Sequence, residues 1–154
     1  MAKISKSKVT VDIKLDKYPL YNKLTPREKG DVKFEVGEAI ISEIQDYLGG
    51  GITPVSGGDY QRELSEGYKK IKDGAPYADL LLDGDLWNAM EYKPTSKGVE
   101  IGIFDSEQAP KAYNHQVGDT LPRRQYLPDS GQSFKRPIES RIRAIIKEVY
   151  ENRN

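Results

Sequence analysis

The sequence predicts an α+β fold: a long amphipathic helix and a C-terminal helix packed on a small antiparallel sheet with a β-hairpin. Three observations lead there. An apolar stripe recurs every four residues from Val32 to Leu48, two alternating runs flank a Lys-Gly turn before Val99, and isoleucines recur at helical spacing from Ile138 to Ile146. The 154 residues fit one domain, 1–154, with a basic arm and strand over 1–24 and a core over 25–150.

Taken in order, Val9-Thr-Val-Asp-Ile-Lys-Leu15 alternates apolar and polar side chains and is rich in β-branched residues. It reads as a half-buried strand behind a short basic arm, Lys3 to Lys8, and such a strand suits pairing with a neighbouring subunit's sheet edge. Thr25-Pro-Arg-Glu28 announces a helix: Thr25 caps, Pro26 suits the first helical position and Glu28 completes a capping box. The stripe Val32, Val36, Ile40, Ile44, Leu48 follows, widened by Phe34, Ile41 and Tyr47. Gly49-Gly-Gly51 ends it, because glycine accepts the left-handed C-cap conformation.

A loop over 52–58 leads to a shorter amphipathic helix over about 59–72, with Tyr60, Leu64, Tyr68 and Ile71 on one face. A loop or turn over 75–84 precedes the run from Leu86 to Lys93. Pro94-Thr-Ser-Lys-Gly98 then leads into Val99-Glu-Ile-Gly-Ile-Phe104, completing a hairpin. Residues 105–135, punctuated by Pro110, Gly118, Pro122, Pro128 and Gly131, read as one long irregular excursion ordered against a partner. The closing helix, from near Arg136 to Tyr150, shows Ile138, Ile142, Ile145, Ile146 and Val149 on one face.

Composition narrows the chemistry. Apolar residues are 36% and charged residues 31%, and the mean hydropathy of −0.71 suits faces that finish burying elsewhere. With no cysteine and one histidine, His115, thiolate zinc sites, a cysteine nucleophile and multi-imidazole metal sites are excluded. No apolar run approaches the roughly 20 residues of a membrane span and no signal-peptide core opens the chain, so a soluble protein of a reducing compartment is expected. The formal charge is zero but segregated. Residues 1–30 carry eight basic and three acidic side chains, residues 31–119 eight and seventeen, and residues 120–154 eight and four. A basic–acidic–basic chain suits self-association or several partners.

The sharpest enzymatic pattern is Asp79 followed by Glu91-Tyr-Lys93, the arrangement of an Mg²⁺-dependent nuclease. Two carboxylates would hold the metal and the lysine would activate water. Glu-x-Lys is short, and a half-buried strand with solvent-facing charges produces it equally well. Asp79, Asp83 and Asp85 lack the full calcium-loop pattern and read as a turn and an N-cap. His115 has no serine or acid at a triad spacing. The glycine runs lack the Lys-Ser/Thr ending of a phosphate loop, so no cofactor is expected. Arg123-Arg124, in the long excursion, suits a phosphate or a carboxylate on a neighbouring chain.

The order of motifs resembles a known family. Ile52-Thr-Pro-Val-Ser-Gly-Gly58 is followed by Leu64-Ser-Glu-Gly-Tyr68, Leu80-Leu-Leu-Asp-Gly-Asp-Leu86, Gly98-Val-Glu-Ile-Gly-Ile-Phe104, His115-Gln-Val-Gly118 and Leu121-Pro-Arg-Arg-Gln-Tyr-Leu-Pro128. This series is similar to the virion-morphogenesis, or neck and tail-completion, proteins of tailed bacteriophages, the Mu-type family and its lambdoid relatives. The resemblance covers about residues 26–150 and lies in order and spacing rather than in any single motif. Tyr126 stands where the pattern has phenylalanine, and residues 1–24 lie outside it.

The resemblance implies a non-enzymatic structural virion protein at the head–tail joint, forming a ring or docking onto one, made in the host cytoplasm and residing in the neck or tail. Its implied partners are other neck, connector and tail proteins and further copies of itself, in proximity to packaged DNA, with no membrane. The residues expected to make contacts are His115, Gln116, Arg123, Arg124 and Tyr126. A tail-terminator role is the near alternative, and an Mg²⁺-dependent nuclease using Asp79, Glu91 and Lys93 is the alternative of another class.

Overall fold

The computed structural model of the chain describes residues 2–50, 52–58, 89–117, 125–129 and 131–152. Its first element is not a free arm: Ala2–Ile4 forms strand β1, which turns through Ser5 and Ser7 into β2, Val9–Lys14. The Ser5 N–H donates to the Lys8 carbonyl at 3.0 Å and closes that turn. Strand β2 then pairs along its whole length with β4, Gly98–Ile103, from Val9↔Ile103 to Lys14↔Gly98. Because β2 is flanked on both sides by strands of its own chain, it does not offer itself to a neighbour's sheet.

The hairpin joins β4 to β3, Met90–Pro94, through Thr95, Ser96 and Lys97. The Thr95 N–H donates to the Gly98 carbonyl, and the Gly98 N–H returns a bond to Thr95 Oγ1. The order is β1-β2-β4-β3 and every pairing is antiparallel. Pro94 is tolerated because β3 lies at the end of this order, where a missing N–H breaks no inner ladder. Two glycines of β4 are required by the close approach of β2. A Cβ at Gly98 would fall 1.9 Å from the Ile13 carbonyl oxygen, and Gly102 has φ +146° with the Val9 carbonyl beside it.

Period-two alternation divides the sheet into two faces. Val9, Val11, Ile13, Val99, Ile101 and Ile103 point to the helices and are buried. Short α1, Pro19–Asn22, leads to α2, Pro26–Gly49, which crosses β3 and β4. The capping box predicted at Thr25 is present: the Glu28 N–H donates to Thr25 Oγ1 at 3.2 Å, and the Thr25 N–H donates to Glu28 Oε1 at 2.8 Å. The stripe from Val32 to Leu48 is buried throughout. Two details differ from expectation. The helix closes on Gly50 at φ −90°, outside the left-handed region, with the Gly50 N–H bonded to the Asp46 and Tyr47 carbonyls. Phe34 is not part of the buried stripe, for a reason given below.

Helix α3, Ala109–Val117, lies in the stretch expected to be irregular. Pro110 falls in its first turn, where an absent N–H costs no intrahelical bond, so the proline opens a helix instead of marking a loop. Asp105 sets the start: its carbonyl accepts from the Ala109 N–H and its Oδ1 from the Glu107 N–H. Helix α4, Arg136–Glu151, packs on α2 through Ile138, Ile142, Ile145 and Ile146, as the isoleucine spacing requires. The expected helix over 59–72 and the turn over 75–84 lie outside the described residues.

Candidate functional site

Two of the contact residues expected from the sequence, Gln116 and Tyr126, meet at one buried amide. Gln116, on the last turn of α3, is 1% exposed. Its Nε2 donates to the Leu127 carbonyl at 2.6 Å, and its Oε1 accepts from the Tyr126 and Leu127 N–H groups, each at 3.1 Å. Gln125, also fully buried, donates from Nε2 to the Leu127 carbonyl and to Gln132 Oε1, which in turn accepts from the Asp129 N–H. Behind them Thr53 Oγ1 donates to the Gln125 carbonyl at 2.7 Å, and Val55 bridges to Phe134.

These bonds lie in the described part of 105–135, the stretch expected to be ordered against a partner. The described part is ordered by the chain itself, because buried backbone groups with no regular ladder take side-chain amides as partners. The same bonds correct two of the contact residues. Gln116 and Tyr126 do not stand at a surface. Tyr126 is 1% exposed, its ring sits in the core, and burial pushes its phenol well above the ordinary value. Its hydroxyl has no hydrogen-bond partner among the described residues, so it is the ring that the core uses. The backbone of His115 belongs to α3, whereas its side chain, Arg123 and Arg124 lie outside the described residues.

The second candidate, the charged pair of β3, lies on the other face of the sheet. Glu91 is opposite Gly102 and Lys93 is opposite Glu100. Both Glu91 and Lys93 are exposed, and Lys93 Nζ sits 4.4 Å from the centre of the Phe104 ring. Asp79, the third member of the nuclease pattern, lies outside the described residues. Among the described residues no three carboxylate or imidazole side chains gather as a metal site would require.

The carboxylate that is organised on this face is Glu100, which the sequence reading passed over. It accepts from Thr10 Oγ1 at 2.5 Å and meets Lys8 Nζ at 2.9 Å. Burial alone would raise its carboxyl. The Thr10 hydroxyl and the Lys8 ammonium outweigh that and hold it below the ordinary carboxylate value. Lys8 also lies over the Phe104 ring and Lys6 over Tyr113, so two of the three lysines of the basic arm are engaged within the chain.

Among the described residues Phe34 is an exposed aromatic, at 59% exposure, and it too was missed. Its position is legible in retrospect. Phe34 is two residues from both Val32 and Val36, about 200° around the helix from each, so it faces away from the stripe. It floors an open groove between α2 and α4 of about 610 Å³, continuous with a second depression of about 390 Å³. Asp31, Glu35, Glu38 and Glu148 rim the groove, with Arg27 and Arg141 beside them. The Phe34 ring meets Tyr92 edge-on at 6.2 Å, and Tyr92 donates its hydroxyl to Glu38.

On the other flank of α4 lies a basic surface. Lys17 Nζ and Arg143 Cζ each sit 5.3 Å from the Tyr18 ring centre. Lys147 lines a shallow apolar hollow with Pro19, Leu20 and Ile146. Tyr18 donates its hydroxyl to Glu139 at 3.0 Å; burial first, and Glu139 next, push its phenol above the ordinary value.

Among the described residues no helix is long and apolar enough to cross a membrane. Comparison with family models, with curated proteins and with solved structures finds no match.

Proposed function

We propose that this chain is a structural virion protein at the neck of a tailed bacteriophage, joining head to tail or completing the tail through protein–protein contacts in a ring. The motif series supports this reading, and one observation carries it furthest. Gln116 clamps the backbone of Tyr126 and Leu127, so the end of α3 and the Tyr126–Leu127 backbone are held together. The chain between the two anchors holds Arg123 and Arg124, tethered at both ends to the core. A short tethered segment loses less conformational entropy on binding than a free one. That is a sound way to present two guanidinium groups to the carboxylates of a neighbouring ring.

The test is electron microscopy of host lysates made by a phage deleted for this chain. Filled heads beside separate tails of normal length are expected. Tails of uncontrolled length would move the role to tail termination, and empty heads would overturn the structural reading.

A further inference from the structure

The two flanks of α4 differ in charge, and each has an apolar floor. At 100° per residue, Arg143 and Lys147 fall on one side of the buried isoleucine stripe, and Ala144 and Glu148 on the other. On the first side Lys17, Arg143 and Lys147 form no ion pair among the described residues; Arg143 and Lys147 line the hollow with Pro19 and Leu20, and Lys17 lies over the adjoining Tyr18 ring. On the second side Asp31, Glu35 and Glu148 likewise form no ion pair among the described residues, and they surround exposed Phe34.

An exposed aromatic in a charged groove is the composition of a contact surface rather than of a solvated face. The complementary charge is found on the same molecule. We propose that the basic surface of α1 and α4 on one copy seats in the acidic groove between α2 and α4 of a second copy, with Phe34 meeting Pro19 and Leu20. The contact is heterologous: each copy offers a different patch on each side, so every added copy leaves one groove and one basic surface free. Growth of this kind stops only by closing a ring. Opposite charge brings the patches together and fixes their register, while burial of Phe34 supplies the apolar part of the association.

The inference rests on the ring reading of function, and the two fail separately. Self-association is measured on purified protein, the neck role on phage particles. The test is the molar mass of the full chain by sedimentation over a concentration series at low and high salt. Concentration-dependent assembly that weakens with salt is expected. Glu35→Lys and Lys147→Glu should each weaken it by about tenfold or more, and the two together in one chain should restore most of the loss. Phe34→Asp and Ala144→Arg, which act through apolar contact and bulk, should also give monomer, with the circular dichroism of all four variants that of a folded chain because the four side chains are exposed.

A wild-type chain that stays monomeric up to its solubility limit would overturn the proposal. So would single variants that assemble normally, or a charge swap that fails to restore assembly. Loss of assembly with Glu35→Lys but not with Lys147→Glu would overturn it as well, since it would show groove meeting groove.

Discussion

Gly37 of α2 lies directly beneath the Tyr92 ring of β3: a Cβ built at position 37 would come within 2.4 Å of two ring carbons. Helix and sheet meet closely here because that side chain is absent. The clash involves the body of the ring and not a flexible tip, so the helix would have to lift. Gly37→Ala gains about 1 kcal/mol of helix propensity but incurs an overpacking cost of about 1–3 kcal/mol, and a net loss of about 1 kcal/mol is expected. Gly30→Ala, in the same helix with open space around it, should stabilise by about 0.5–1 kcal/mol. Urea midpoints of the two variants should therefore move in opposite directions.

Removing the Gln116 amide leaves the Tyr126 and Leu127 N–H groups without their buried acceptor and the Leu127 carbonyl with one donor fewer. Gln116→Leu should cost about 2–4 kcal/mol despite its similar volume, since each orphaned buried group carries its desolvation penalty. Chemical denaturation gives the value. A loss below half a kcal/mol would mean that the clamp is not what orders the segment.

Glu100 gives a pH dependence with a definite sign. Its folded carboxyl lies below the ordinary value of 4.5, so its contribution is present above that pH and is lost as the pH falls through the depressed value. Glu100→Gln should be less stable than wild type by about 1 kcal/mol at neutral pH. The two should converge at acid pH, once the Glu100 carboxyl is protonated in the folded protein as well. Denaturation curves at the two pH values decide it.

The exposed positions of Glu91 and Lys93 bear on DNA cleavage. Wild type and Glu91→Ala should be indistinguishable in plasmid nicking with Mg²⁺, both at the level of buffer. Nicking by wild type that Glu91→Ala abolishes would move the function to metal-dependent hydrolysis.

Arg124→Glu should weaken incorporation into phage particles while leaving the monomer folded. Complementation of a deletion phage, read as titre, together with circular dichroism of the purified variant, separates the two effects. Normal incorporation would remove the arginine pair from the contact surface.

Elements governed by local rules were legible in the chain. The Thr25–Glu28 box, the stripe to Leu48, the hairpin at Thr95–Lys97 and the isoleucine face of α4 all depend on neighbours within about four residues, where periodicity and capping chemistry act. Phe34 was misplaced only because it was counted with the stripe instead of being set on the helical wheel. Pro110 was read as a breaker, although a proline in a first turn opens a helix.

What the sequence by itself determined is the α+β class, the boundaries and inward faces of its two long helices, and the hairpin, because hydrophobic periodicity dictates which side chains must leave water. Only the tertiary structure decided that β2 sits between β1 and β4, that Gly37 makes room for Tyr92, and that Glu100 rather than Glu91 is the organised carboxylate. It alone decided that Gln116 and Tyr126 belong to the interior. The polar partners lie beyond the reach of local rules, from 10 residues apart for Gln116 and Tyr126 to 90 for Thr10 and Glu100, and no local pattern encodes which of many possible pairs will satisfy a buried polar group.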